Sequence, residues 1–241
     1  MAQPEPSMTF LYTFKFEDGN EESFSVQLDR KTLDLLPEPQ DHYPAWTALE
    51  HHQCPNCPLD PATHPRCPIA ANMAELSGFF SDSISYDETE VEIITEDRHY
   101  LKRTSIQQAV SSLMGIYMVT SGCPIMDKLR PMVRFHLPFA TLEETTYRVI
   151  SMYLTAQFFL YRKGQTPDWD MRNLVDIYED IQTVNQSFFK RLGDITTQDA
   201  STNALVILDT FANYISFSVD ESLLDDIETF FSAYLPPQDK S

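Results

Sequence analysis

The sequence is poor in positive charge and has no long apolar run. Its 241 residues include 17 Lys and Arg against 36 Asp and Glu, which gives a net charge of -19. Proteins bind nucleic acid mainly through Lys and Arg that contact phosphates, and this charge balance repels such a polyanion. A membrane helix needs roughly 20 consecutive apolar residues, and no stretch approaches that length. We therefore expect neither nucleic acid nor a membrane as partner, but a protein that the sequence does not identify.

Motifs for the common enzyme reactions are also missing. The chain has only 6 Gly, and it contains no phosphate-binding glycine loop, no GxSxG and no HExxH. The first residues, MAQPEPSMTF, lack the basic and apolar regions of a signal peptide, which predicts a cytoplasmic protein. In that compartment four cysteines indicate metal ligands or reactive thiols more than a disulfide framework. We expect a binding or accessory protein more than an enzyme.

Two pairs of alternating segments predict β-hairpins in the first part of the chain. Residues 10–16 and 22–28 alternate between apolar and polar side chains around the turn pair Asp18-Gly19. Residues 88–95 and 98–103 do so around Glu96-Asp97. Two such hairpins make a four-stranded antiparallel sheet with one polar face.

The apolar period changes to 3.6 after residue 104, which predicts a helical bundle. Capping-box spacing predicts one helix from Thr104 to Gly122 and a longer one from Thr141 to Lys163. The longer helix is predicted to bury Val149, Ile150, Tyr153, Leu154 and Phe158. Another helix is predicted to begin at Cys123-Pro124, and three more cover residues 170–192, 204–215 and 223–231. Ser218 and Glu221 have capping-box spacing before the helix over 223–231. Lys190 and Arg191 lie at the C-terminal end of the helix over 170–192, where cations interact favourably with the helix dipole. The fold is α+β, with a sheet region over 1–103 and a bundle over 104–241 as one integrated unit.

The segment 37–68 has too much proline for regular structure. A stretch of about thirty residues without strand hydrogen bonds must be held in place by contacts other than backbone pairing. Pro68 is well placed as the first residue of a helix over 68–80, with Cys67 as its N-cap.

Each of the four cysteines is followed directly by proline. The pairs are Cys54-Pro55, Cys57-Pro58, Cys67-Pro68 and Cys123-Pro124. With 16 Pro in 241 residues, four independent coincidences have a probability on the order of one in fifty thousand. Since a residue before proline avoids the helical region, the pairing indicates a shared extended geometry at each thiol.

Three interpretations of these thiols remain open. In the first, Cys54, Cys57, Cys67 and Cys123 bind one metal centre, with zinc slightly favoured over a [4Fe–4S] cluster. Histidine is an alternative ligand, offered by His51, His52, His64 and His136. In the second, Cys54 and Cys57 form a redox pair. In the third, the thiols are small buried hydrophobes. The corresponding functions are a metal-binding accessory protein, a redox or electron-transfer protein, and a metal-free acidic interaction domain.

Three longer segments resemble an uncharacterised bacterial family, a domain of unknown function. They are HHQCPNCPLDPATHPRCPIAANMAEL, SSLMGIYMVTSGCPIMDKLRPMVRFHLPFA and YRVISMYLTAQFFLYRKG. The resemblance extends over nearly the whole chain, and its most specific parts are CPNCPL, SGCP and RPMVRFHLPFA. It implies a bacterial protein in which the cysteines are a family feature, and it implies no activity.

Overall fold

The N-terminal part of the chain forms a four-stranded antiparallel sheet. A computed structural model describes residues 6–36, 42–218 and 227–236. The sheet order is β2-β1-β3-β4, and both predicted hairpins are present. Together with the helices that follow, this sheet confirms the predicted α+β fold. The strands are β1 (Ser7–Phe16), β2 (Glu21–Asp29), β3 (Glu88–Ile94) and β4 (His99–Ser105).

One face of the sheet is buried and the other is polar, as the alternation predicted. Tyr12 in the middle of β1 pairs with Phe24 of β2 and Ile93 of β3, and all three side chains are buried. On the opposite face Lys15 forms an ion pair of 3.1 Å with Glu92. The helices therefore cover only one side of the sheet.

Two short helices replace the single helix predicted over 68–80. These are α1 (Pro68–Asn72) and α2 (Ala74–Phe79), and Cys67 is the N-cap of α1 as predicted. The chain leaves helical geometry at Met73, and both Met73 and Phe80 are fully buried. The predicted single helix is thus interrupted at a residue that is fully buried in the core.

The helix predicted from Thr104 begins later. Thr104 still pairs within β4, and its hydroxyl donates to the side chain of Gln108, so α3 comprises Ile106–Thr120. The strand's ladder has displaced the expected capping box. After Gly122, which has a φ of +87°, the predicted helix at Cys123-Pro124 is instead a 3₁₀ helix over Met126–Phe135.

The long helix α4 (Leu142–Arg162) begins with the predicted capping box. The Thr141 hydroxyl accepts from the Glu144 amide, and the Glu144 carboxylate accepts from the Thr141 amide. The prediction that Phe158 is buried was wrong, because that ring is 48% exposed. The buried stripe continues from Tyr153 to Gln157, four residues on, and its amide oxygen accepts a hydrogen bond from the backbone of Asp168.

Two further helices complete the described part of the bundle. They are α5 (Arg172–Gly193) and α6 (Ala200–Ser218). The last predicted helix, over 223–231, lies partly outside the described residues, because these do not include 223–226. Glu221 of its predicted capping box also lies outside them. Within the described part, a 3₁₀ turn covers Thr229–Phe231. Across the described ranges, no helix combines the length and apolarity that crossing a bilayer requires.

Candidate functional site

The four cysteines come from three separate segments and line one small cavity. Cys54 and Cys57 lie on a turn closed by a backbone hydrogen bond of 3.0 Å from the Cys57 amide to the Cys54 carbonyl. Cys67 precedes α1, and Cys123 follows α3. The cavity measures about 20 Å³, and its other walls include Ile125 and α5 side chains. The fold thus brings together all the thiols that the sequence analysis grouped.

The Cys-Pro pairing has the expected effect where its geometry can be read. Cys67 has φ -68° and ψ 121°, an extended conformation, because the ring of Pro68 disfavours the helical region for the residue before it. The Cys67 amide donates to the carbonyl of Thr47 at 2.8 Å. The extended residue therefore joins the proline-rich segment to the start of α1.

The thiols are close, although not as close as ligands of a single metal ion. No three of the four sulfur atoms, all in the described part of the chain, lie within 4.8 Å of one another. Cys54 is nevertheless near enough to each of the other three for their charges to oppose its ionisation. Burial raises the pKa of the Cys54 thiol to about 11, although a hydrogen bond with Ser187 lowers it. Without a cation, this thiol is protonated at neutral pH.

Burial also raises the pKa of Cys123, but its sulfur has two backbone donors. The amides of Met126 and Ile125, at the start of the 3₁₀ helix, favour the thiolate and lower the pKa. Amide donors of this kind stabilise negative charge on a metal-bound sulfur. The surroundings of Cys123 therefore suit a thiolate once a cation compensates the cost of burial.

A buried arginine lies beside the thiols. Arg191 of α5 lines the same cavity and is only 2% exposed. Its guanidinium donates to the carbonyls of Trp46, Ala48 (2.7 Å) and Leu49 (3.4 Å). Among the described residues, no carboxylate lies within 4.0 Å of it. Desolvation lowers the pKa of Arg191, whereas the nearby thiol of Cys67 raises it. Buried arginines usually pair with an anion, and the part of the chain that the structure describes offers Arg191 no carboxylate at that distance.

Side chains of α5, and not strand ladders, hold the proline-rich segment. Arg191 binds three of its carbonyls, and the Asn56 amide donates to the backbone (3.0 Å) and carboxylate (2.9 Å) of Asp180. Apart from an isolated bridge between Ala48 and Arg66, residues 42–67 form no strand pairing. The expectation that other contacts hold this segment is confirmed.

From the sequence, Arg191 is predicted only as a cation that interacts with the helix dipole at the C-terminal end of a helix. It does lie in the last turn of α5, but it points into the core. Val184 and Phe188, seven and three residues earlier, are buried on the same stripe. Arg191 occupies a position that the 3.6-residue period assigns to the apolar stripe of the helix. That position is the signal in the sequence that could have predicted its burial.

The histidines considered as alternative ligands do not line the cysteine cavity. His51 and His52 instead converge on Asp194, with Nε2 to carboxylate distances of 3.0 and 2.9 Å. These three ligand atoms lie within 4.8 Å of one another on the surface. His64 is exposed and contacts Thr63. His51, His52 and Asp194 thus offer zinc nitrogen and oxygen ligands at a position separate from the thiols. A metal assay must therefore distinguish binding at this group from binding at the cysteines.

His136 lies in a different cavity and is electrically neutral. Its Nε2 is 2.8 Å from the Tyr12 hydroxyl of β1, and Arg148 of α4 also faces it. Burial, and to a lesser degree the Arg148 cation, lowers the pKa of His136 from 6.5 to about 3. Between these two values the unfolded chain binds a proton that the folded chain does not, so stability is complete above the unfolded pKa and falls as the pH falls.

This difference predicts a measurable pH dependence. Between pH 7 and pH 5 we expect the wild type to lose about 1–2 kcal/mol more unfolding free energy than His136→Gln, whose amide oxygen can still accept from Tyr12. Urea unfolding of both proteins at the two pH values measures the difference. Equal losses would contradict the neutral, buried state of His136.

The comparisons with known proteins identify one family. A model of a domain of unknown function, DUF6901, matches residues 10–232. No curated protein and no solved structure matches the chain.

Proposed function

The chain belongs to the DUF6901 family, and since that family brings no activity with it, we propose from the site itself that this is a metal-binding accessory protein. Cys54, Cys57, Cys67 and Cys123 hold one [4Fe–4S] cluster. The observation that carries the proposal is the cavity in which thiols from three segments meet the buried cation of Arg191.

Charge balance supports a thiolate site. Four thiolates around a [4Fe–4S]²⁺ core, or around one zinc ion, form a dianion, and its burial requires nearby positive charge. Arg191 supplies a cation that has no carboxylate within 4.0 Å among the residues described, and the amides of Ile125 and Met126 supply donors to Cys123. With neutral thiols instead, the guanidinium has only backbone carbonyls as partners.

The two centres require different changes of the site. Four sulfurs bound to zinc at about 2.3 Å lie about 3.8 Å apart, whereas those around a [4Fe–4S] cube lie farther apart. Because no three of the sulfurs lie within 4.8 Å of one another, zinc requires several thiols to move inward. The cluster requires the cavity to expand well beyond its present volume of about 20 Å³. We propose the cluster in place of zinc, which the sequence slightly favoured, because it is the centre with the wider sulfur spacing.

A cluster with four protein thiolates has no open position for a substrate, so it acts as a structural element or carries electrons. Electron transfer is the second candidate, because Cys54 and Cys57 are only partly buried and place one side of the cluster near the surface. Reduction by dithionite to the [4Fe–4S]⁺ state and reoxidation by air-free ferricyanide, one electron each way, would distinguish a carrier from a structural centre.

Metal and sulfide analysis of protein purified anaerobically without a His tag tests the proposal. We expect about four iron and four sulfide per chain and a brown colour. If as-purified protein lacks them, reconstitution with iron and sulfide under reducing conditions should restore them. The matched control is Asp194→Asn, which removes the carboxylate shared by His51 and His52 but no thiol.

The outcomes separate the candidate centres. About one zinc per chain that is lost only in Asp194→Asn would assign the metal to the histidine group and overturn the cysteine site. Zinc that is lost only in cysteine variants would retain the cysteine site and overturn the cluster. If no metal binds even after reconstitution, the thiols are core residues and the metal-free acidic interaction domain becomes the better interpretation.

A further inference from the structure

A second cavity, far larger than that of the cysteines, lies among the C-terminal helices. It measures about 440 Å³, within the range of small-molecule sites. Helices α3, α4, α5 and α6 and the 3₁₀ helix all contribute to its walls. Most of its lining is apolar, as at Ile116, Val119, Leu208 and Phe211, and the polar residues that border it include two cations, Lys102 and Arg148. Such a cavity suits an apolar molecule held by a small number of polar contacts.

The wall of this cavity contains a buried acceptor without a donor. Asn185 of α5 lines the cavity, is 2% exposed, and donates through Nδ2 to Asp209 at 3.2 Å. Its Oδ1 is buried and has no hydrogen-bond partner. Because a carboxylate accepts and cannot donate, Asp209 fixes the orientation of the amide with its oxygen free. An unpaired buried acceptor costs stability, so a donor is expected there in the working protein.

The cavity wall also contains a cation that has no carboxylate beside it. Arg148 of α4 lines the cavity and donates to the carbonyl of Met132 at 3.0 Å. Within the described ranges no carboxylate lies within 4.0 Å of it. Glu144, which attracts it electrostatically, caps the start of α4 instead. His136 beside it is neutral at pH 7. The region around Arg148 therefore favours an anionic group.

Arg148 and Asn185 offer different partners to a bound molecule. Tyr178, Ile181 and Asn185 line the cavity from one stripe of α5, and Tyr178 is close enough to Arg148 to feel its charge. The Asp209 carboxylate next to Asn185 disfavours a second anion there. A bound molecule thus needs an anion for Arg148 and a neutral donor for Asn185.

We propose that this cavity binds an amphipathic carboxylic acid that also carries a hydroxyl group. The carboxylate pairs with Arg148, the hydroxyl donates to Asn185 Oδ1, and the apolar chain fills the space between them. A medium-chain ω-hydroxy acid combines these three features and serves as the probe. No cysteine lines this cavity, so the inference does not depend on the cluster.

Calorimetric titration of the full chain with ω-hydroxydecanoic acid, decanoic acid and decanol tests this inference. We expect the hydroxy acid to bind about five- to tenfold more tightly than decanoic acid, because only it supplies the donor. In Asn185→Leu that preference should disappear while decanoic acid binds as before. In Arg148→Met both acids should bind at least about tenfold more weakly, with decanol unchanged.

Decanol is the control for an intact cavity in Arg148→Met, because it carries no charge. Decanoic acid is that control in Asn185→Leu, because it carries no hydroxyl. If none of the three probes binds the wild type, the inference is wrong. It is also overturned if the preference for the hydroxy acid persists in Asn185→Leu, which would leave water as the partner of Asn185. Loss of the control probe in a variant would mark that variant as misfolded, and Arg148→Gln and Asn185→Ala then replace it.

Discussion

Replacing Arg191 with methionine is expected to lower the free energy of unfolding by about 3–5 kcal/mol, even in metal-free protein. The guanidinium is buried and binds the carbonyls of Trp46, Ala48 and Leu49. Methionine fills much of the same volume but leaves these buried acceptors without a donor. Urea unfolding of metal-free wild type and variant under reducing conditions measures the difference.

The neighbouring residue provides the control. Lys190 is exposed on the same turn of α5, so Lys190→Met should change stability by no more than about 0.5 kcal/mol. Arg191→Lys keeps the charge but not the planar fork, and an intermediate loss is expected. If Arg191→Met and Lys190→Met were equally stable, Arg191 would not be the anchor of the proline-rich segment.

Arg191→Met should also bind the cluster poorly, since the variant no longer offers a cation to the dianionic centre. Its iron content relative to wild type, after identical reconstitution, is therefore a second measurement on the same protein. Full iron occupancy in a destabilised variant would separate the two roles and assign Arg191 to the backbone alone.

Replacing any one of the cysteines with serine should remove the metal centre almost completely. We expect less than about a tenth of the wild-type iron and sulfide in each of Cys54→Ser, Cys67→Ser and Cys123→Ser. With only three thiolate ligands, the cluster dissociates from the protein more easily. Iron and sulfide per chain after anaerobic reconstitution give the result. His64→Ala should match the wild type, because His64 is exposed and outside the cavity.

The same variants should be cleaved faster within residues 44–68. This segment has no strand ladder beyond one isolated bridge, and metal bonds to Cys54, Cys57 and Cys67 would tie it to Cys123. Limited proteolysis of the loaded wild type, the metal-free wild type and the variants measures the effect. Protein without metal should behave like the variants. The proposal fails if all of these proteins are cleaved at the same rate and contain the same metal.

The predictions that succeeded depend on neighbours in the sequence. Alternation around Asp18-Gly19 was enough to place the first hairpin, and Thr141 and Glu144 lie three residues apart, the spacing at which each reaches the other's backbone amide. Cys67 is an N-cap because Pro68 follows it. Each of these features is set by contacts within one turn of chain.

The predictions that failed depend on what packs against an element. The expected helix over 68–80 breaks at Met73, a residue fully buried among the other core side chains. The expected cap at Thr104 is lost because β3 pairs with that residue. Phe158 is exposed because the buried stripe of α4 continues through Gln157. In each case a tertiary contact outweighs a local preference.

The sequence by itself determined the fold class, the hairpins, most helices and the set of four Cys-Pro pairs, since periodicity and backbone restriction act between residues a few positions apart. Only the tertiary structure decided that the thiols share a cavity with Arg191, that His51 and His52 meet Asp194, and that Arg148 and Asn185 both line another cavity. Some of these residues are more than a hundred positions apart along the chain. Their convergence depends on how the helices pack, which no local pattern specifies.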